Sequence, residues 1–180
     1  TNQHIPLIPM SHSRSLYLLL ITALSCCPVA AQAAKFKINK SPVPGVMLTI
    51  GPGGARIGEV SFNIKSRDLG TGVPLRGKPD INIRVANRAT PSNSRVAVLT
   101  VDSSIPLRNG AHTTPFTSIS WTAKDGNIPS GRYDGSSSQF LFSFANSQEI
   151  RDKHRFFYDN ADILEVGTYS GRVTYTLTMP

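Results

Sequence analysis

The sequence predicts an all-β protein with an immunoglobulin-like β-sandwich. In three segments, 60–64, 81–85 and 140–144, apolar and polar residues alternate with a period of two, which is the pattern of a half-buried strand. A fourth segment, 95–101 (RVAVLTV), is apolar on both faces and suits a central strand. Clusters of Gly, Pro, Asn and Asp separate such runs about every ten residues, as in a sandwich of short strands.

The first part of the chain has the pattern of an export signal. A short polar opening from Met10, with Arg14, precedes an apolar run at 16–24, and a small-residue stretch ends in Ala31 and Ala33. The apolar run has about nine residues, whereas a helix needs about 20 to cross a bilayer. We therefore expect cleavage after Ala33 and export through the inner membrane.

A lipoprotein signal is the alternative interpretation of the same segment. Cys26 and Cys27 follow the apolar run, and a lipidated cysteine would keep the protein on a membrane. The residues before either cysteine match that signal poorly. Cleavage after Ala33 would leave a mature chain without cysteine, whose stability must come from its core without a disulfide.

We divide the chain into three parts on these grounds. Residues 1–33 are upstream residues and signal peptide, 34–45 are an N-terminal extension, and 46–180 form a single domain. Within the domain, the charged segment 147–155 is predicted to form a surface loop or a single helical turn.

The mature chain would be basic, with 18 basic and 11 acidic groups and a net charge of +7. Its basic residues are scattered singly along the sequence, without a run of four or interleaved aromatic residues. We therefore expect no nucleic-acid partner. Attraction to an anionic lipid or polysaccharide stays open.

No pattern in the chain indicates catalysis. His112 and His154 have no partner at ligand spacing, so we expect two exposed loop histidines and no metal site. The G-x-S-x-G motif of a serine nucleophile is missing, and Asp125 and Asp134 stand beside glycine, as turns require. We expect no catalytic residue and no cofactor; a hydrolase that uses loop carboxylates is the enzymatic alternative.

The last residues continue a strand pattern. Val173, Tyr175, Leu177 and Met179 fall on one face, and three threonines fall on the other. In a complete sandwich this is a closing strand. Alternatively the sandwich is incomplete, with a last strand missing, and a strand from another subunit fills the groove by donor-strand complementation.

Further segments accompany this alternation. Gly167 is the fourteenth residue from Pro180, and the segments 119–121 (ISW), 136–139 (SSSQ) and 169–171 (YSG) occur in order before the final strand. With these features the sequence resembles the chaperone–usher pilins, in particular the colonisation-factor (class 5, alpha) fimbrial type. Met179 stands where many members of that family have tyrosine.

The resemblance implies a structural subunit of a bacterial surface fimbria that supports adhesion. A periplasmic chaperone would bind beside Val173, Tyr175, Leu177 and Met179, and an outer-membrane usher would join the subunit to other pilin subunits at the cell surface. The resemblance also implies that the extension 34–45 is the donor strand.

Within that extension, Phe36 and Ile38 alternate with lysines and are the residues expected to enter a neighbour. A tip subunit could contact a host glycan through Tyr133 or Tyr158, whereas Trp121 is expected in the core because it follows Ile119 at period two. The competing function is a free secreted or periplasmic β-sandwich that binds carbohydrate or a surface and does not polymerise.

Overall fold

The computed structural model describes residues 32–41, 45–51, 58–87, 95–145 and 148–180. In these ranges the regular structure is β-strand, apart from the short 3-10 helices Ser66–Asp68 and Phe116–Ser118. The same ranges contain no helix with the length and apolar character needed to cross a bilayer. The predicted signal segment up to Ala31, with its two cysteines, lies outside the described residues.

The strands of the described ranges follow one another closely along the chain. They are β1 (Gln32–Ser41), β2 (Val46–Ile50), β3 (Gly58–Ile64), β4 (Leu75–Arg76), β5 (Ile81–Asn87), β6 (Ala97–Asp102), β7 (Leu107–Asn109), β8 (His112–Thr114), β9 (Ile119–Ala123), β10 (Gly131–Arg132), β11 (Gln139–Phe144), β12 (Glu149–Tyr158) and β13 (Thr168–Thr178).

These strands form two sheets that pack face to face as a β-sandwich. The first sheet has the order β11-β6-β13-β1-β3, with β7 also paired to β13 and β8 paired to β7. The second sheet has the order β10-β9-β12-β5-β2, with β4 paired to β12. The inward side chains of both sheets form one cluster of buried apolar residues, so the prediction of an all-β sandwich is confirmed.

The period-two segments at 60–64 and 81–85 are strands β3 and β5, and their apolar residues are buried in the core. The segment predicted as central forms β6, which lies between β11 and β13. These elements confirm the predictions because a strand with one face on a core repeats its side-chain environment every second residue.

The alternation predicted at 140–144 is wrong at its first residue. The register of β11 against β6 shifts between Phe140 and Phe142, so Leu141 and Phe142 are both buried while Phe140 is 60% exposed. The shift has the character of a β-bulge, which adds one residue to a strand and reverses the face of the residues beyond it.

The loop or helical turn predicted at 147–155 is also wrong, because residues 149–155 belong to β12; residue 147 lies outside the described residues. Strand β12 pairs with β5 on one side and with β9 on the other. Its inward positions are the partly buried Ile150, the polar Asp152 and His154, and then Phe156 and Tyr158. Two buried polar residues therefore concealed the period of two that the strand obeys.

Burial of Asp152 is compatible with the core because backbone groups satisfy its carboxylate. Its oxygens accept N–H groups of Asp125 at 3.1 Å and of Ile128 at 2.8 Å, both in the loop between β9 and β10. A buried carboxylate is tolerated where such hydrogen bonds replace water, so Asp152 anchors this loop to β12.

Candidate functional site

Strand β1 occupies an interior place in the first sheet. It runs parallel to β13, from Ala33 opposite Thr168 to Ser41 opposite Thr176. It runs antiparallel to β3, from Gln32 opposite Ile64 to Ile38 opposite Gly58. We call the gap between β13 and β3 that β1 fills the β1 slot.

The inward side chains of β1 belong to the centre of the core. Ala34, Phe36 and Ile38 are at most 4% exposed. The ring of Phe36 contacts four other rings, with centroid distances of 5.2 Å to Phe156, 5.6 Å to Phe116, 6.2 Å to Tyr133 and 6.3 Å to Phe62. Burial of a phenylalanine or isoleucine contributes about 1.5–3 kcal/mol, so β1 is a major part of the core.

The outward side chains of β1 determine its register. Lys35 and Lys37 alternate with the buried residues and are exposed. A slip by one residue would turn both lysines into the core and Phe36 into solvent, and isolated buried charges are very unfavourable. The amphipathic pattern therefore permits β1 to enter the slot with only one face inward.

Strand β13 forms the wall of the slot and carries the predicted assembly residues. Val173, Tyr175 and Leu177 are fully buried, and Met179 packs against the core as a partly buried residue. Between them the threonines point outward. Strand β13 pairs with β6 on the side away from β1, so the alternation read from the sequence describes both faces of this strand.

The hydroxyl of Tyr175 lies 3.1 Å from that of Tyr133. Both rings are buried, and this burial raises the pKa of each phenol well above its usual value. The two hydroxyls satisfy each other, which allows both rings to remain in an apolar environment.

An open groove beside β13 is not seen in a single copy. The sequence favoured a missing strand there, yet β1 of the same chain pairs with β13 over nine residue pairs. The physical reason is that Phe36 and Ile38 have to be buried, and the rings lining the slot supply a matching apolar surface. Pro42 and Pro44 follow β1 in the sequence and have no N–H to donate to a strand ladder; they lie outside the described residues.

Gly167 begins the pairing of β13 with β1. Its carbonyl oxygen accepts the N–H of Ala33 at 3.2 Å, and its φ is +149°. A Cβ at this position would overlap the side-chain amide of Asn109. Local sterics therefore require glycine here, which is a reason independent of any family resemblance.

The predicted signal cleavage falls within β1. Ala33 belongs to the strand, and Ala31 lies outside the described residues. Removal of residues 1–33 would leave 34–41, and these residues include all the inward side chains of β1 named above.

The aromatic residues considered for glycan contact lie in the core instead. Tyr133 is 1% exposed and Tyr158 is 2% exposed, so contact of either ring with a glycan is ruled out in this fold. Trp121 is 3% exposed, as its spacing from Ile119 predicted, and its indole N–H donates to the carbonyl of Pro129 at 2.9 Å.

His154 is fully buried, so the prediction of an exposed loop histidine is wrong for this residue. Its ring stacks on Trp121 at 5.9 Å, and neither ring nitrogen has a hydrogen-bond partner among the described residues. Burial lowers the pKa of His154 to about 4, although the nearby Asp152 carboxylate opposes the shift. His112, by contrast, is exposed and lies on the short strand β8.

Groups of three or more metal-ligating side chains do not occur in the described ranges. No protein-family model and no curated protein sequence matches this chain. We take the β1 slot, bordered by β13 and β3, as the candidate functional site.

Proposed function

We propose that this chain is a structural subunit of a bacterial surface fimbria, assembled by the chaperone–usher route through donor-strand complementation. The observation that carries the proposal is the interior position of β1. With the signal removed after Ala33, the leading segment of the mature chain would hold a place between two strands of the same sheet. Such a segment can be supplied by a second copy with the same contacts.

Departure of β1 would leave the sandwich incomplete. Strands β13 and β3 would each present an edge of unpaired backbone groups, and an apolar trough lined by Phe62, Phe116 and Phe156 would face water. Exposed apolar surface costs about 25 cal/mol per Å², and open edges invite pairing with another strand. An immunoglobulin-like domain of this kind, 46–180, would need a strand from a chaperone first and from a neighbouring subunit afterwards.

The same edge of β13 would serve both partners. A chaperone strand that pairs beside Val173, Tyr175 and Leu177 would occupy the position that β1 holds here, so the two compete. Replacement of the chaperone by a neighbour's β1 would insert Phe36 and Ile38 into the core. The partners are thus a periplasmic chaperone, an outer-membrane usher and other copies, and the final location is the cell surface, where the fimbria supports adhesion.

A free secreted or periplasmic binding module is the second candidate. The specific observation in its favour is that a single copy already fills its own slot. Such a module would remain a monomer, whereas a fimbrial subunit exchanges β1 between copies. The two functions therefore differ in whether β1 contacts β13 of its own chain or of another.

Disulfide trapping tests this difference. Lys37 lies directly opposite Arg172, and neighbouring strands are about 4.8 Å apart, within the range of a disulfide. The single variants Lys37→Cys and Arg172→Cys are expressed together in the periplasm and oxidised. Exchange predicts linked dimers that contain one chain of each kind, and the double variant K37C/R172C in one chain is the positive control.

Random collision of surface cysteines is measured with a second pair. The single variants Lys37→Cys and Arg108→Cys are expressed together in the same way. Their thiols lie on strands that are not neighbours, so this pair should stay unlinked. If the double variant closes within its own chain and the mixture gives no more dimer than the collision control, exchange is contradicted and the monomeric module is favoured.

Fibre assembly is tested by two variants, one changed on the inward face of β1 and the other on its outward face. The double substitution Phe36→Asp and Ile38→Asp introduces two charges on the inward face, and Lys35→Asp with Lys37→Asp introduces two acids on the outward face. Fibres should be lost from the first and kept in the second. Fibres of ordinary length from the first variant would exclude a donor role for β1.

A further inference from the structure

Four cations from three separate parts of the sequence meet on the outer face of the first sheet. Lys35 and Lys37 on β1, Arg108 on β7 and Arg172 on β13 line one surface cleft of about 530 Å³. All four are exposed, and their inward neighbours on each strand are buried, so the four side chains stand on the same face.

The strand register places these charges close together. Lys37 is opposite Arg172, and Ser170 lies between Lys35 on one side and Arg108 on the other. With strands about 4.8 Å apart and about 3.4 Å per residue, the four backbone positions fit within about 10 Å by 7 Å. The sequence shows only single basic residues, and the sheet assembles them into a patch.

In the described part of the chain, none of the four cationic side chains forms a salt bridge with an acid or a side-chain hydrogen bond. Six other arginines of the described ranges do pair with acids, namely Arg67, Arg76, Arg84, Arg132, Arg151 and Arg155. Glu59 lies opposite Lys37 on β3 and lines the same cleft, so four cations share the cleft with one carboxylate, which makes no ion pair within 4.0 Å with a described residue. The carboxylate of Asp102, on the neighbouring strand β6, accepts the N–H and hydroxyl of Ser104.

Directly opposed like charges, as in Lys37 and Arg172, destabilise a sheet. The four side chains do not stabilise the fold in return, because they neither pack in the core nor hold a loop. An anion in the cleft would convert the repulsion into attraction. Local conflict of this kind is a sign of a binding surface.

We propose that this cleft binds a linear polyanionic polysaccharide with sulfate or carboxylate groups. Arginine forks bind such groups in a bidentate manner, and lysines add point charges. Ile105, which is 64% exposed, and Pro106 line the same cleft and offer an apolar surface for the C–H face of a sugar ring. Among the described residues that line the cleft, the aromatic one, Phe36, is buried, so they offer no exposed ring on which a nucleic-acid base could stack.

Two of the four cations in the cleft, Lys35 and Lys37, belong to β1. The site is therefore complete only when the slot is filled, whether β1 belongs to the same copy or to a neighbour. Binding in a single copy does not depend on the proposed function. If β1 is exchanged, each junction between subunits carries one such site, and a long polysaccharide can contact several junctions in a row, which multiplies its affinity.

The proposal is tested by calorimetry at about 0.15 M salt. Heparin oligosaccharides are titrated into the chain that begins after Ala33. Lys35→Ser combined with Lys37→Ser should weaken binding by about tenfold or more, because adjacent cations act on one ligand. The matched control is Lys65→Ser with Lys124→Ser, which removes the same charge from exposed positions outside the cleft and should change affinity less than about twofold.

If both double variants lose the same heparin affinity, heparin is attracted to the basic surface in general, and the proposal of a specific site is wrong. Tighter binding of single-stranded DNA or of anionic phospholipid vesicles than of heparin would overturn the choice of ligand. The measurement is made on the monomer fraction and on any polymer. If β1 is not exchanged between copies but heparin still binds, only the proposed function is contradicted. If β1 is exchanged but heparin does not bind, only this inference is contradicted.

Discussion

The ring of Phe36 meets the ring of Phe156 edge to face, with the centroids 5.2 Å apart. This contact joins β1, an interior strand of the first sheet, to β12, the middle strand of the second. A segment from the N-terminal part of the chain thus contributes a central side chain to the core, and this fact underlies both the proposed exchange and its energetic consequences.

Substitution of Phe36 by alanine should lower the free energy of unfolding by about 3–5 kcal/mol, because it leaves a cavity among four rings. Lys37→Ala on the outward face should lower it by less than about 0.5 kcal/mol. Urea unfolding of the two variants measures the difference. A similar midpoint for both would mean that β1 is not docked in the slot in solution.

Gly167→Ala should destabilise the protein by about 1–3 kcal/mol through its backbone conformation, with a further cost from the overlap with Asn109. Gly126→Ala is the matched control, because its φ is +73° but nothing lies within 4 Å of the added Cβ. Thermal unfolding should show the larger loss for Gly167. Addition of Asn109→Ala should recover part of that loss, and no recovery would mean that the overlap is relieved without cost.

Stability should fall on acidification because of His154. Its pKa is about 4 in the folded chain against an ordinary value of 6.5, so the unfolded chain binds the proton first. The stabilisation is complete above about pH 6.5, declines as the pH falls and levels off below about pH 4, for a total of about 3 kcal/mol. Asp152 also has a lowered pKa, and its protonation acts at still lower pH.

The measurement is urea unfolding between pH 4 and 7 for the parent chain, His154→Leu and His112→Gln. The slope should disappear in His154→Leu and persist in His112→Gln, because His112 is exposed. A slope that survives the loss of His154 would assign the pH dependence to other groups.

The hydroxyl pair of Tyr133 and Tyr175 should be strongly coupled. Each single change to phenylalanine leaves the other hydroxyl buried without a partner and should cost about 1–3 kcal/mol. The double variant Y133F/Y175F removes both hydroxyls and should cost less than the sum of the two singles. A double-mutant cycle measures the coupling, and strict additivity would show that the two hydroxyls do not depend on each other.

Elements whose inward residues are all apolar could be predicted from the sequence. Strands β3 and β5 and the alternation of Val173, Tyr175 and Leu177 belong to this group. Strand β12 was missed because Asp152 and His154 occupy inward positions, and their compatibility with burial depends on partners brought from a distant loop and from Trp121. The irregularity at Phe140 was missed because a bulge is defined by the neighbouring strand.

The sequence by itself determined the all-β class, the faces of most strands and the amphipathic pattern of Phe36 and Ile38, because side-chain periodicity is a local property of the backbone. Only the tertiary structure decided that β1 lies between β13 and β3 and that four scattered cations share one cleft. Both depend on which strands pair and in which register, and pairing is governed by contacts between residues far apart along the chain.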